Sequence, residues 1–168
     1  MFKIPPATLS FWNRLNIAPA SEAQIAEIRN LAPGPLPDDY VAFLQTYGFC
    51  RWMLTVPDRF TFARSVAGQT ESRTGSVAHL ETPQSIARSM THAWTDQPEM
   101  GLPCWPQGVM PVAGNAGADQ VLMDFAETPG AILYWTASDD PWGHGNNTAL
   151  WTVADTFTDF INGLALRN

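Results

Sequence analysis

What most narrows the fold of this chain is how its hydrophobic period changes along its length. Between Ser21 and Tyr47 apolar residues recur every three to four positions. Between Val109 and Val153 they come in short runs of strand-like composition. Ser21-Glu22-Ala23-Gln24 reads as a capping box, in which the Ser hydroxyl takes the N3 amide and the Gln reaches back. Ile25, Ile28 and Leu31 then form one stripe, and Pro33-Gly34-Pro35 ends it. A second helix is expected over Pro37–Tyr47. Its proline suits the first helical position, and Asp38 and Asp39 suit the positive end of the helix dipole. Tyr40, Phe43, Leu44 and Tyr47 form its buried stripe, and Gly48 is placed to close it.

Beyond Gly48 the texture is that of strands. Arg51–Val56 and Phe60–Arg64 read as a hairpin around Pro57-Asp58, and the polar, Gly-containing 65–80 as a loop or an irregular edge. A helix is expected from Thr82-Pro83 to about Trp94. A Pro/Gly-rich connector, 98–108, leads to four strands at Val109–Ala113, Gln120–Phe125, Ala131–Ala137 and Ala149–Val153. A last helix starts at Thr156 and runs to about Leu164, and one short helical turn is expected near Thr8–Leu15. Successive strands joined by short turns imply an antiparallel meander, not crossover units. The expectation is therefore α+β: one domain over residues 1–168, with an antiparallel sheet of about five to six strands packed by helices from both ends of the chain. A length of 168 residues with 45% hydrophobic side chains supplies enough apolar material for one full core.

Charge and composition exclude several function classes. The net charge is −7 and the nine Lys and Arg are scattered, so the phosphate-binding stripe of a nucleic-acid binder is missing. No run of about 18 apolar residues exists to span a membrane. Met1-Phe2-Lys3-Ile4-Pro5-Pro6 has prolines where a signal peptide needs an apolar run, so a cytoplasmic location is expected. Two cysteines, Cys50 and Cys104, make no disulfide framework.

Catalytic patterns also fail. His79-Leu80-Glu81 followed by Pro103-Cys104 is half of the signature of a zinc deaminase, but the second thiolate position is Gln107. No spacing selects a Cys–His pair among Cys50, Cys104, His79, His92 and His144, and buried thiols are the expectation. Gly114-Asn115-Ala116-Gly117 lacks the Lys and Ser/Thr of a phosphate loop and reads as a turn. No catalytic residue, metal site or cofactor is expected.

Trp135 through Asn147 is longer than a hairpin connection needs, and it sets aromatic and acidic residues among Gly, Asn and Pro. Trp is the type most enriched at interface hot spots, and carboxylates select a basic partner. Trp135, Asp139, Asp140, Trp142 and His144, with Asp119 and Asp124 on a possible rim, are the candidate partner-binding residues. The chain has seven tryptophans, too many to expect all to be enclosed.

Three motifs carry a resemblance. Leu36-Pro37-Asp38-Asp39-Tyr40-Val41-Ala42-Phe43-Leu44 through Tyr47-Gly48 resembles the LPxxYxxFLxxYNG helix of the SUKH superfamily (the Smi/Knr/Syd-like proteins). Met110-Pro111-Val112-Ala113-Gly114-Asn115 through Asp124 resembles the family's strand pair. Gly130-Ala131-Ile132-Leu133-Tyr134-Trp135, leading to Val153-Ala154-Asp155-Thr156-Phe157-Thr158-Asp159-Phe160-Ile161, is similar to its ending. The resemblance covers residues 21–164. It departs at Gly48-Phe49, where the family has Asn-Gly, and between 65 and 105, where nothing matches. It implies a non-catalytic immunity protein that binds and neutralises a polymorphic toxin, and the net charge of −7 favours a basic toxin domain in that role. Its alternative is a regulatory or scaffolding protein of cell-wall synthesis or secretion, and a remote alternative, apart from the resemblance, is a Cys/His-dependent enzyme. A monomer or weak dimer is expected.

Overall fold

The computed structural model describes residues 1–66, 69–93, 105–117, 119–136 and 150–166. In chain order the elements are α1 (Pro6–Arg14), α2 (Glu22–Leu31), α3 (Asp38–Tyr47), β1 (Arg59–Val66), β2 (Gln69–Ser76), β3 (His79–Leu80), α4 (Pro83–Ala93), β4 (Val109–Gly114), β5 (Gln120–Asp124), β6 (Ile132–Trp135), β7 (Leu150–Ala154) and α5 (Phe157–Asn162). Strands β3 to β7 form one antiparallel sheet in sequence order, and β1 pairs with β2 as a separate hairpin. The fold is α+β, with the meander expected from the turn residues.

Local chemistry explains most boundaries. The capping box at Ser21 is complete, with Gln24 N donating to Ser21 Oγ and Ser21 N donating to Gln24 Oε1. Thr156 caps α5 by accepting from Asp159 N at 3.0 Å. Pro111 sits inside a central strand, where its missing amide would leave a gap in the ladder. The register shifts between Pro111 and Ala113, so a bulge absorbs the gap.

The main core lies between the helices and one face of the sheet. Ile25, Ile28, Phe43, Leu44, Ile86, Phe157 and Phe160 meet Met110, Val121, Met123, Ile132 and Tyr134 there. The other sheet face carries a smaller apolar layer of Trp105, Val109, Leu122 and Trp135. Alternation along β6 sends Ile132 and Tyr134 to the first layer and Leu133 and Trp135 to the second.

Three expectations change. The region around Thr8 is a helix of nine residues, anchored by buried Trp12, whose ring lies 5.6 Å from Trp52 and 6.1 Å from Phe43. Arg51–Val56 is not a hairpin strand. Only its start follows β3, with Trp52 N donating to Ala78 O, before the chain turns back at Met53–Val56. The strand-like composition there serves two buried anchors, Trp52 and Val56, on either side of an exposed turn. The polar stretch 65–80 holds β2 and β3 instead of a loop. Gln69-Thr70-Glu71-Ser72-Arg73-Thr74 shows no apolar alternation because, among the described residues, only backbone pairing with β1 holds it. Trp94 lies outside the described residues.

The hairpin joins the domain through aromatic contacts. Phe60 and Phe62 pack on Tyr134 at 4.9 and 5.2 Å, and Phe60 on Phe160 at 5.5 Å. Gly75 makes this approach possible: a Cβ there would stand 2.4 Å from the Phe60 ring and 3.1 Å from that of Tyr134. Gly75→Ala should therefore lower the unfolding free energy by about 1–3 kcal/mol, as overpacking does. Thermal and denaturant unfolding check this, and an unchanged midpoint would show that the hairpin seat is loose.

Candidate functional site

The residues with chemical potential gather at one end of the sheet. Antiparallel pairing brings Gly114 to Gln120, Gln120 to Trp135 and Trp135 to Leu150, so the β4–β5 turn and the far ends of β6 and β7 share that end. The turn is fixed by side chains. Asn115 Nδ2 donates to Asp119 Oδ2 at 2.8 Å, Asn115 Oδ1 accepts from Gly117 N at 2.7 Å, and Tyr134 Oη donates to Asp119 Oδ2 at 2.7 Å. Burial and the neighbouring Asp119 both raise the Tyr134 pKa, so the phenol stays a donor at any physiological pH.

Beside this turn lies a groove of about 470 Å³, lined by Trp52, Met53, Leu54, Ser76, Val77 and Ala116 among others. Its outer wall is the Met53–Val56 turn, where Leu54 is 64% and Met53 41% exposed. Two large apolar side chains therefore stand in solvent at the rim of a groove with a mainly apolar lining. Trp12 on α1 supports this wall from behind through Trp52 and through its indole N–H, which donates to Arg51 O. Composition could not reveal the exposure of Met53 and Leu54.

At the same end, His79 and Glu81 flank Leu80, with Nε2 3.3 Å from Oε1. Gly114 gives them room, since a Cβ there would lie 3.0 Å from Glu81 Oε1. The Glu81 side chain is 6% exposed. Burial pushes its pKa up, but hydrogen bonds from His79 and Ser85 and the charges of His79 and Arg88 outweigh that and hold it below the ordinary 4.5. Behind it, burial raises the Tyr40 phenol, with Glu81 and Cys50 adding to the effect. Burial also raises the Cys50 thiol well above its ordinary value, which keeps it protonated at neutral pH. Among the described residues no three His, Cys, Asp or Glu converge as a metal site. No helix of the described residues is long and apolar enough to cross a membrane.

The expected site residues fall in different places. Asp119 is on the groove end, partly buried in its network with Tyr134. Trp135 is at the same end but 3% exposed, packed 6.5 Å from Trp105 in the second layer. Asp124 is 5% exposed at the opposite end of β5, about 13 Å along the strand. There its carboxylate accepts from the amides of Ala126, Glu127 and Thr128 and shapes the β5–β6 turn. Asp139, Asp140, Trp142, His144 and Cys104 lie outside the described residues. Thr136 and Leu150, which bound the 137–149 segment, both stand at the groove end. None of the five described tryptophans is exposed.

The chain belongs to the SMI1/KNR4 family (SUKH-1), whose model matches residues 19–163. No curated protein and no solved structure matches it. The family is generally one of non-catalytic interaction or immunity domains. Helix α1, with Trp12, precedes the matched segment, so the support behind the Met53–Leu54 turn lies outside what the family model covers.

Glu81 gives this end of the sheet a pH signature. Its folded pKa is below its unfolded one, so its contribution to stability is complete above about pH 5 and is lost as pH falls through the folded value. Glu81→Gln should therefore be less stable than the parent chain at pH 7, with the gap closing below pH 4.5. Denaturant unfolding from pH 7 to pH 3 measures it, and a gap that widens in acid would contradict the ionised pairing.

Proposed function

Starting from membership in the SMI1/KNR4 family, we propose that this chain is an immunity-type protein that binds and neutralises a basic toxin domain. It does so with the groove end of its sheet. The supporting observation is the pair of free apolar side chains, Met53 and Leu54, beside the groove that Ala116 and Val77 floor. Such a surface supplies the desolvated anchor that interfaces need. Asp119, Asp139, Asp140, Trp142 and His144 are proposed to complete the contact, since the 137–149 segment starts and ends at that side.

Charge supports the sign of the partner. From Ser89 to Leu166 the chain contains nine Asp and Glu and no Lys or Arg. At the far end of the sheet Asp38, Glu127, Asp155 and Asp159 are all exposed. A field of one sign over half the chain speeds encounter with a cationic protein, while the apolar groove governs dissociation. The proposed mechanism is steric masking: an inhibitor seated over a toxin's active site needs affinity and shape, and no reacting group of its own.

Leu54→Asp and Met53→Asp test this, because both side chains are in solvent and the fold should tolerate the change within about 0.5 kcal/mol. Calorimetric titration against basic toxin domains drawn from neighbouring genes should show one that binds the parent chain and loses at least about tenfold in affinity for either variant. Rescue of toxin-expressing cells should weaken in parallel. Parental affinity in both variants, with the fold intact, would move the interface elsewhere.

A further inference from the structure

Among the described residues, the hairpin β1–β2 reaches past the core with one edge unused. Val77 N donates to Asp58 O at 2.9 Å, while Arg59 exchanges bonds with Ala165 on the other side. With Arg59 opposite Ser76, the antiparallel alternation is then fixed along the whole hairpin. Gln69, Glu71, Arg73 and Gly75 turn their amides and carbonyls toward β1, and Thr70, Ser72 and Thr74 turn theirs away. Residues 69–74 are all exposed, and among the described residues β2 pairs with β1 alone. Natural edges are usually blunted by proline, lysine or a bulge. This one has no proline or lysine, and its register with β1 runs unbroken from Arg59–Ser76 to Val66–Gln69.

We propose that the chain forms a symmetric dimer in which the outer edge of β2 pairs, antiparallel and centred on Ser72, with the same edge of a second copy. The segment Thr70-Glu71-Ser72-Arg73-Thr74 is self-complementary about its middle residue. In this register Ser72 meets Ser72 and Thr70 meets Thr74 as hydrogen-bonded pairs, which are the outward-facing positions. Roughly six new backbone hydrogen bonds result. Glu71 meets Arg73 of the second copy twice, as a non-hydrogen-bonded pair, where side chains approach most closely. In the single chain these two already pair within the strand at 2.8 Å, both about half exposed, so they are free to exchange partners.

Electrostatics choose the register. Sliding by one residue in the pairing sum breaks the hydrogen-bond parity. Sliding by two in either direction keeps parity but sets Glu71 against Glu71 or Arg73 against Arg73, which is unfavourable. Only the Ser72-centred register has both correct backbone groups and opposite charges. The result is a four-stranded ribbon, β1-β2-β2-β1, with a closed two-fold interface. Five paired residues a side bury less than a standard interface, so the dimer is a weak one that gains population with concentration. Its occupant differs from the toxin proposed above, and the two proposals fail independently.

Sedimentation equilibrium of the purified chain alone, from about 5 μM to about 0.5 mM, tests this. The parent should shift from monomer toward dimer over that range. Arg73→Glu, which places like charges opposite each other, should weaken dimerisation about tenfold or more. The double exchange Glu71→Arg with Arg73→Glu should restore it, because complementarity is then reversed but intact. Ser72→Pro removes an amide that β1 does not use, so it should keep the monomer folded and abolish the dimer. A parent that stays monomeric at every concentration would overturn the proposal. So would a dimer indifferent to Arg73→Glu and Ser72→Pro, or a monomeric parent whose toxin binding alone is lost in Ser72→Pro, since that edge would then serve a partner's strand.

Discussion

Tyr134 is the contact on which the rest of this molecule turns. Its ring receives Phe60 and Phe62 and so seats a hairpin that belongs to no larger sheet. Its hydroxyl reaches past them to Asp119 and fixes the β4–β5 turn. One residue on β6 thus connects three segments distant in sequence: the hairpin, the turn, and the sheet interior. An aromatic with a polar tip suits such a position, because the ring buries apolar area while the hydroxyl satisfies a carboxylate at the boundary with water. Gly75 completes the arrangement by leaving space where any side chain would collide with both rings.

The two surfaces proposed for recognition differ in kind, and both follow from that seat. The groove is apolar and shaped, with walls supplied by the Met53–Val56 turn and by the β4–β5 turn that Tyr134 holds. The β2 edge is a row of backbone groups with one self-complementary charge pair. A groove selects by shape and desolvation, and a strand edge by register. Helix α1 supports the first through Trp12 and Trp52, so a segment beyond the family match shapes the groove proposed to meet the partner. The acidity of the second half of the chain acts at longer range than either surface, on encounter and not on fit.

The legible parts of the sequence were those where burial leaves a periodic trace. Helices α2, α3, α4 and α5 and strands β4 to β7 were readable within a few residues because caps, prolines and apolar stripes coincide there. The illegible parts have a common cause. Strand β2 is polar on both faces, since it projects from the core, and a strand without a buried face has no period to read. Residues 51–56 misled for the converse reason: their apolar content is divided between two buried anchors and an exposed turn, and composition weights both alike. Asp124 and Asp119 were equally acidic and equally near strand ends in sequence. Antiparallel topology sets them at opposite ends of the sheet, one serving backbone amides and the other a phenol.

The sequence by itself determined the class of fold, the order of its main elements, the family and the lack of a complete catalytic pattern, because each rests on local spacing or on residue types that are present or missing. The tertiary structure decided what faces water. It placed Trp135 inside and Leu54 outside, gathered His79, Glu81, Asp119 and Ala116 at one end of the sheet, and left the outer edge of β2 open among the described residues. Exposure depends on what packs against a residue from elsewhere in the chain, and these contacts join Trp12 to Trp52, Phe60 to Tyr134 and Tyr134 to Asp119 across long intervals of sequence. No local pattern encodes such contacts, and both surfaces proposed for recognition are made of them.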